Sequence, residues 1–330
     1  MKLEKIDIKT NADEWNNFIL SNSSVEINNC FIAHNPSIAE IFEEVFGYEC
    51  EYYFLKEEDE IIGLLPGFRI KDKFTSIPMF PAAGFFTKAE NNKIDFYNTV
   101  PEQLGKYEIR DTIKFSKYVY DEKVLSYLEL EDDVDSEWKK LSSDKRNHIR
   151  KGYKNGLSIK HGGEELLNDF YDIYSFNMRN LGSPPIEKSF FTNLIRKYKN
   201  GIAKIFICNY DNKPIGGSIV LSYMNLFEVS WASTLDEYNK LKPNMVMYWE
   251  MIKYAIENKI RFFSFGRSTR GSGTHEFKSR WGASELQLYF NHSNYSFDVR
   301  KLKPLSYLWS KLPLSVTNKV GPFIRRITRI

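Results

Sequence analysis

The sequence has few of the residues that build metal centres, disulfides or membrane spans. Its three cysteines, Cys30, Cys50 and Cys208, are far apart and show no CxxC or CxH spacing, which argues against a disulfide framework and a zinc site. The five histidines form no HxxxH pair, so we expect no metal and no tightly bound cofactor. No run approaches the roughly 18–20 uninterrupted apolar residues that span a bilayer.

The residues Met1-Lys2-Leu3-Glu4-Lys5 are too charged for a signal peptide, so the expected location is the cytoplasm. A length of 330 residues fits two domains of average size. The hydrophobic content of 42%, with 15% aromatic residues, is enough for two cores and excludes disorder as the main state.

The net charge of +3 hides an uneven distribution. Residues 300–330 carry eight basic side chains and no acidic one, which leaves 38 basic and 43 acidic residues, a net −5, in residues 1–299. The tail mixes its cations with Trp, Phe and Leu, a composition that favours peripheral contact with the inner face of a membrane. The alternative is that the tail packs on the body; Pro304, Pro313 and Pro322 are expected to break it into short pieces. The acidic body gives little support to extensive tRNA contact, and no DNA partner is expected.

The hydrophobic pattern predicts two similar halves, each with helices, then an antiparallel hairpin, then a β-α-β unit. The predicted hairpins are 51–55 with 60–68, and 203–208 with 214–223. One helix is predicted over 135–154 and a long one over 243–258. The expected fold class is α+β with mixed, largely antiparallel sheets. The expected domains are 1–134, 135–299 with the active site, and the tail 300–330.

The most informative stretch follows the second long helix. An apolar strand, Phe262–Phe265, is expected to end at Gly266-Arg267-Ser268, with a loop containing Gly271 and Gly273 after it. Thr274 and Lys278 follow closely, so hydroxyl groups and cations gather at the end of a buried strand, where chemistry is often located in α/β proteins. The alternative is a glycine-rich surface loop with solvated basic residues.

Short motifs throughout the chain share the order and spacing of one known family. They are Ser76-Ile77-Pro78, Lys145-Arg146-Asn147-His148-Ile149-Arg150-Lys151, Met178-Arg179-Asn180-Leu181-Gly182-Ser183-Pro184, Gly216-Gly217-Ser218, Trp231-Ala232-Ser233, Tyr238, Lys242-Pro243-Asn244, Phe265-Gly266-Arg267-Ser268, Gly273-Thr274, Phe277-Lys278 and Trp281-Gly282. Together they resemble the FemAB family. The tail segment Trp309-Ser310-Lys311-Leu312-Pro313, with Gly321-Pro322, is similar to the FemAB-like proteins of exosortase and exopolysaccharide loci.

The resemblance implies two tandem GNAT-like acyltransferase domains. Characterised FemAB members move an aminoacyl group from aminoacyl-tRNA to an amine of a peptidoglycan precursor. GNAT enzymes that use acyl-CoA usually carry a glycine-rich loop before the long helix, whose N–H groups hold the pyrophosphate. Here that junction, residues 238–244, contains no glycine, although Lys240 and Lys242 could still meet phosphate. The expected donor is therefore either aminoacyl-tRNA or acyl-CoA.

Acyl transfer to an amine passes through a tetrahedral oxyanion, so it needs fixed positive donors and a neutral amine. Lys278 is the first candidate for stabilising the oxyanion or a donor phosphate, and Arg267 and Ser268 are the next catalytic candidates. The alternative for Lys278 is a lysine that lies along the Trp281 ring. His275 could act as a base, but a lone histidine in a polar loop more often has an incidental role. No arrangement suggests a covalent acyl-enzyme, so direct transfer is expected.

A further set of residues is expected to bind substrate. Arg146, Arg150 and Lys154, at i, i+4 and i+8, form a basic helical stripe suited to phosphate, with a solvated helix face as the alternative. Arg179 is expected near a cleft, or else as charge compensation at a helix end. The complete expected set is Arg146, Arg150, Arg179, Trp231, Tyr238, Asn244, Tyr248 and Thr274.

Two function classes follow. The first is an N-acyltransferase, with aminoacyl transfer as its more specific form, that modifies an amine of a cell-envelope glycan, exopolysaccharide or peptidoglycan precursor, including lipid-linked forms. The alternative is a non-catalytic scaffold or binding protein of a polysaccharide assembly system.

Overall fold

The computed structural model describes residues 1–23, 27, 30–88, 90–99, 101–294 and 303–328. Its helices are α1 (Ile8–Asn22), α2 (Ser37–Phe46), α3 (Glu90–Thr99), α4 (Pro101–Leu104), α5 (Val134–Lys140), α6 (Ser143–Lys154), α7 (Leu167–Asn180), α8 (Lys188–Lys197), α9 (Pro243–Glu257), α10 (Gly273–Ser279), α11 (Lys303–Ser310) and α12 (Leu314–Thr328). Its strands are β1 (Lys2–Ile6), β2 (Glu49–Cys50), β3 (Tyr52–Glu57), β4 (Glu60–Leu65), β5 (Gly67–Ile70), β6 (Lys73–Ser76), β7 (Phe86–Thr87), β8 (Lys106–Asp111), β9 (Tyr118–Glu129), β10 (Leu157–Gly162), β11 (Ala203–Tyr210), β12 (Lys213–Tyr223), β13 (Leu226–Thr234), β14 (Phe262–Thr269) and β15 (Ser284–His292).

The chain packs into two compact units. Unit 1 contains Met1–Leu128, Ser222–Leu226 and Ser264–Phe297, and unit 2 contains Glu129–Leu221, Phe227–Phe263 and Asp298–Ile330. Packing units need not coincide with fold repeats, so the domain boundaries expected at 134 and 299 stay a prediction. The stretch that carries Arg267, Ser268 and Lys278 packs with unit 1.

Unit 1 contains two sheets. In the smaller one the strand order is β1-β3-β4-β7, and each pair is antiparallel. In the larger one β9-β15-β8-β6-β5-β2 are neighbours in that order, and β6 and β8 form a parallel pair among antiparallel ones. The part of β14 from Ser264 onward lies beside β9. Trp15 is fully buried against the rings of Tyr52 and Phe54 and forms part of the core.

Unit 2 is built on the sheet β10-β11-β12-β13. The predicted hairpin is confirmed as β11 and β12, which pair antiparallel. Its turn residues Asp211 and Asn212 have φ of +50° and +58°. Positive φ at both central positions gives the twist that a two-residue hairpin needs, and Asp and Asn tolerate it.

The single helix expected over 135–154 is wrong, because the chain forms α5 and α6 with a break between them. The Asp133 carboxylate accepts from the Ser136 N–H at 2.9 Å and starts α5. Ser142 lies in extended conformation, and its hydroxyl accepts from the Lys145 N–H at 3.3 Å, which starts α6. A second N-cap inside a basic, helix-like run therefore ends the first helix.

The tail packs on unit 2, and its predicted breakage at Pro322 is wrong. Helix α12 runs through Pro322 from Leu314 to Thr328. The missing N–H of a mid-helix proline is unfavourable, but tertiary contacts compensate for it here. A Cβ on Gly321 would lie 2.4 Å from Cδ of Pro185, and Arg325 Nη1 donates to the Pro184 carbonyl at 2.8 Å.

The α+β fold with mixed, largely antiparallel sheets is thus confirmed. Among the helices of the described ranges, none combines the length and apolarity needed to cross a membrane.

Candidate functional site

Strand β14 is longer than the sequence pattern indicated, and it does not end at Gly266. It continues through Thr269; the expected loop is the short turn 270–272, where Gly271 has φ of +74°, and Gly273 is already the first residue of α10. Gly266 lies inside the strand with φ of +72°, a conformation that glycine adopts without strain. Its N–H donates to the Ser264 hydroxyl at 3.0 Å. The strand is therefore locally distorted at the residue before Arg267.

Lys278 holds this distortion in place. Its side chain is buried, and the ammonium donates to the carbonyls of Gly266 at 2.8 Å and Arg267 at 2.9 Å. Helix α10 is started by the Ser272 hydroxyl, and Trp281 after its end packs on the Phe265 ring at 6.0 Å. These contacts bring Lys278 over β14. Its positive charge lies directly against the backbone from which the Arg267 side chain extends.

Arg267 belongs to a group of three cations on one face of unit 1. Its guanidinium lies 5.8 Å from the Phe290 ring and donates to the Phe80 carbonyl at 3.0 Å. The Arg110 guanidinium lies 4.8 Å from the same ring, because the antiparallel pairing of β8 with β15 places Arg110 opposite Phe290. Lys123 donates to the Thr269 hydroxyl at 2.6 Å. We call Arg110, Lys123 and Arg267 the cationic cluster.

The charges in the cationic cluster perturb one another. Burial lowers the pKa of Lys123, and the nearby charge of Arg267 lowers it further. Arg110 also has an anionic partner, because its Nη2 lies 2.8 Å from Glu108. Burial alone would raise the pKa of Glu108, but the charges of Arg110 and Lys73 outweigh it and hold the pKa well below its ordinary value. The carboxylate therefore fixes Arg110 as a charged ion pair.

The other polar residues near α10 differ in their surroundings. Ser268 is buried, and its hydroxyl has no hydrogen-bond partner among the described residues. Thr274 is exposed in the first turn of α10. His275 accepts from the Gly271 N–H at 3.1 Å through Nδ1, and its Nε2 lies 2.6 Å from the Glu285 carboxylate. Because both ring nitrogens are engaged, this geometry favours the incidental, structural interpretation of His275.

A second buried polar group in unit 1 was missed by the sequence analysis. Asp111 is fully buried and accepts from Lys93 at 3.4 Å, from the Tyr97 hydroxyl and from the Phe85 N–H at 3.2 Å. The available signal was Glu108-Ile109-Arg110-Asp111, which places three charges in one short strand. A charged strand indicates paired, inward-facing ions where its neighbours are apolar.

His34 lies beside this buried group. It accepts from the Phe31 N–H at 3.0 Å through Nδ1, and therefore donates from Nε2 to the Gly84 carbonyl at 2.9 Å. Burial lowers its pKa to about 4, and the positive charge of Lys93 contributes to this shift. His34 is therefore a neutral structural residue near pH 7.

Unit 2 holds most of the expected substrate-binding residues, and several of them have structural partners. Trp231 is half-buried, with the rings of Phe190 and Phe191 at 5.5 and 5.3 Å. Asn244 donates to the Thr234 hydroxyl at 3.3 Å, and the Tyr238 ring lies 6.1 Å from Tyr210. Tyr248 is buried, and burial raises its pKa. Substrate binding by these residues stays a prediction.

The three arginines expected to bind phosphate have different surroundings. Arg146 donates to the carbonyls of Trp138, Lys139 and Leu141, the last being its closest contact, and so caps the end of α5. Arg150 is exposed, 5.4 Å from the Trp138 ring. Arg179 bonds to its neighbour Asn180 and lies 4.7 Å from the ring of Phe176. Of the three, Arg150 presents the most exposed charge, and the binding roles of all three stay predictions.

Residues 139–279 match the family model described as Acetyltransferase (GNAT) domain. No curated protein matches the chain in sequence. Among solved structures, "Crystal structure of FemX" has a TM-score of 0.62 at 14% identity and covers 94% of this chain and 100% of that one.

Two further structures have a similar fold. L-PGS from Bacillus licheniformis has a TM-score of 0.52 at 11% identity, covering 87% of this chain and 100% of that one. A tandem GNAT protein from the clavulanic acid biosynthesis pathway has a TM-score of 0.51 at 6% identity, covering 90% and 100%. At these identities the likeness concerns the fold, and it extends over nearly the whole chain.

Proposed function

We propose that this chain, whose residues 139–279 match the GNAT acetyltransferase model and whose fold is similar to those of FemX and a tandem GNAT protein, is an acyltransferase that transfers an aminoacyl group to an amine of a cell-envelope precursor. The observation that most strongly supports this proposal is the positive charge at β14, where Lys278 anchors the backbone of Arg267. We place the reaction in the cytoplasm at the inner membrane face. The acceptor class is a glycan, exopolysaccharide or peptidoglycan precursor, free or lipid-linked.

In this reaction a neutral amine attacks the carbonyl carbon of the acyl donor. The new C–N bond forms, the carbonyl oxygen becomes an oxyanion, and the bond to the leaving oxygen or sulfur breaks as the tetrahedral intermediate collapses. The leaving group takes a proton and the amine loses one. Arg267 would stabilise the oxyanion or a donor phosphate, and Lys278 would keep it in position. A fixed donor at such an oxygen contributes about 10²–10³ in rate.

The segment before α9 favours aminoacyl-tRNA over acyl-CoA as donor. It forms a short 3₁₀ helix, Asp236–Leu241. The N–H groups of Tyr238 and Lys242 already bond to the carbonyls of Leu235 and Asn239, both at 3.1 Å. A pyrophosphate would need N–H groups that point outward at this junction. Because these two are engaged, a donor that does not depend on a pyrophosphate loop is the better fit.

The substrate-binding assignments follow the surroundings of each residue. We propose that Arg150 contacts a phosphate of the donor or acceptor, since its guanidinium is exposed. Trp231, Tyr238, Asn244 and Tyr248 would line the acceptor side, and Thr274 would contact the donor near α10. A buried tyrosine with a raised pKa stays protonated near pH 7, so Tyr248 could only act through its O–H or its ring.

The test is a thermal-shift and turnover assay of the full chain with aminoacyl-tRNA and acyl-CoA as separate donors. A donor at 100 times its dissociation constant should stabilise the fold by about 2.7 kcal/mol. Arg267→Met should reduce transfer to an amine acceptor by about 10²-fold or more. The matched control is Arg270→Met, which removes an exposed ion pair with Glu285 and should leave transfer unchanged.

Three outcomes would contradict all or part of the proposal. Stabilisation by neither donor, with a correctly folded chain, would favour the non-catalytic scaffold. Equal activity of Arg267→Met and Arg270→Met would remove Arg267 from the chemistry. Stabilisation by acyl-CoA alone would keep the transferase and replace the donor.

A further inference from the structure

Helix α12 has one face packed on unit 2 and another that is apolar and exposed. On the packed side, Thr317 and Gly321 are buried, and Asn318 Nδ2 donates to the Ser175 hydroxyl at 3.3 Å. On the exposed side, Val316 and Val320 are each 40% exposed and Phe323 is 64% exposed. At 3.6 residues per turn these three positions fall within an arc of about 60°. We call them the α12 stripe.

The α12 stripe is flanked by positive charge. Lys319 is exposed next to it, and no acidic residue occurs anywhere between positions 303 and 328, where five basic residues occur. The preceding helix α11 adds exposed apolar side chains, Tyr307 and Leu308, and the Lys311 ammonium lies 5.3 Å from the Tyr307 ring. Apolar side chains beside cations with no anions suit a surface that is both apolar and negative.

The packing of the tail fixes which face is presented. Arg326 forms a two-pronged ion pair with Glu187, with Nε and Nη2 each 2.8 Å from a carboxylate oxygen. The backbone of Ser306 packs directly on Gly182: a Cβ built on Gly182 would lie 2.3 Å from the carbonyl oxygen of Ser306. Because both helices are anchored in this way, the α12 stripe cannot turn inward without breaking these contacts. The tail therefore packs against the segment Gly182-Ser183-Pro184.

We propose that the α12 stripe docks the protein on the surface of an anionic lipid bilayer, with Phe323 inserted at the headgroup level and Lys319 against the lipid charges. A second copy of this chain fits less well, since two such faces would bring like charges together. The three-residue stripe is also small beside the roughly 800 Å² per partner of a stable protein interface. This inference extends the proposed function by naming where a lipid-linked acceptor would be met.

The experiment is cosedimentation of the full chain with vesicles. One set contains phosphatidylglycerol and phosphatidylcholine in equal amounts, and the other contains phosphatidylcholine alone. The wild-type chain should sediment with the anionic vesicles, release at high salt, and leave the neutral vesicles unbound. Lys319→Gln should weaken binding about fivefold, which corresponds to about 1 kcal/mol for one cation near an anionic surface.

Two matched variants separate the α12 stripe from a general effect of charge. Phe323→Glu should weaken binding about tenfold or more, because it removes the inserted ring and adds a negative charge. Leu20→Glu makes the same change of charge at an apolar residue on α1 that is 62% exposed, and it should leave binding within about twofold of wild type. Both sites are exposed, so both variants should melt at the wild-type temperature.

Equal losses in Phe323→Glu and Leu20→Glu would overturn the proposal, as would equal binding to both vesicle types or no binding at all. A dimer in sedimentation velocity that Phe323→Glu dissociates would assign the stripe to a second copy instead. Donor-induced stabilisation of Phe323→Glu is a separate readout, and it should equal that of wild type. Docking and acyl transfer can therefore fail independently.

Discussion

Replacing Lys278 by methionine tests the link between the buried ammonium and the site at β14. Methionine nearly keeps the length and volume of lysine but cannot donate a hydrogen bond. The ammonium has two carbonyl partners, at 2.8 and 2.9 Å, in a site where the whole residue is only 3% exposed. Its loss leaves those carbonyls with fewer partners in a buried environment.

The size of the effect follows from two opposing terms. Each hydrogen bond from a charged donor contributes about 1.5–3 kcal/mol, so the two together contribute about 3–6 kcal/mol. Burying an ammonium costs several kcal/mol, and removing it recovers part of that cost. We therefore expect Lys278→Met to destabilise the protein by about 2–4 kcal/mol.

The measurement is urea unfolding of the wild type, Lys278→Met and the control Lys56→Met. Lys56 forms a half-exposed ion pair with Glu4 at 3.0 Å, so its replacement should change the unfolding free energy by less than about 1 kcal/mol. If the two variants are equally stable, the Lys278 ammonium does not anchor the distorted part of β14 at Gly266 and Arg267. If Lys278→Met keeps full stability but loses acyl transfer, Lys278 acts on the substrate directly and not through Arg267.

Three further predictions concern stability. Asp111→Ala leaves Lys93 buried without its carboxylate and should cost about 3–5 kcal/mol in chemical denaturation; adding Lys93→Met should cost less than the sum of the single changes, and strict additivity would mean that the pair does not interact. The pKa of about 4 for His34 lies below its ordinary 6.5, so the unfolded chain binds a proton that the folded chain excludes between these values. Stability should therefore fall by about 3 kcal/mol as pH drops from 6.5 to 4, and His34→Gln should flatten the slope; an unchanged slope would refute this. Arg146→Ala should cost about 1–2 kcal/mol in thermal unfolding through the end of α5, and weaker donor binding at unchanged stability would instead favour the phosphate clamp.

Much of the secondary structure could be predicted because it depends on neighbouring residues. The long helix predicted over 243–258 is α9, Pro243–Glu257, which ends one residue earlier than predicted. The hairpin at Asp211-Asn212 was also predicted, since both residues favour the positive φ that its turn requires. The predictions failed where contacts between residues far apart in the sequence determined the local structure. Helix α12 continues through Pro322 because its neighbours Gly321 and Arg325 pack on residues 184–185, which lie 136 or more residues earlier in the chain.

The candidate site was predicted in part. The sequence singled out Arg267, Ser268 and Lys278, but it could not show that Lys278 points at two backbone carbonyls. Arg110 and Lys123 were missed, because they come from strands more than 140 residues earlier and meet Arg267 only through strand pairing.

The order of its motifs resembled that of a family of tandem GNAT-like acyltransferases, while composition, charge and periodicity by themselves indicated an α+β chain with two similar halves and a basic apolar tail. These properties depend on periodicity and on residues close together along the chain, and they survive any rearrangement of distant segments. The tertiary structure alone decided which charges are buried and which are presented. Lys278 and Lys319 are both lysines in basic, apolar surroundings, yet one is 3% exposed and the other lies open on α12. Only the packing of α10 on β14, and of α12 on α7, separates an anchoring ammonium from a surface charge.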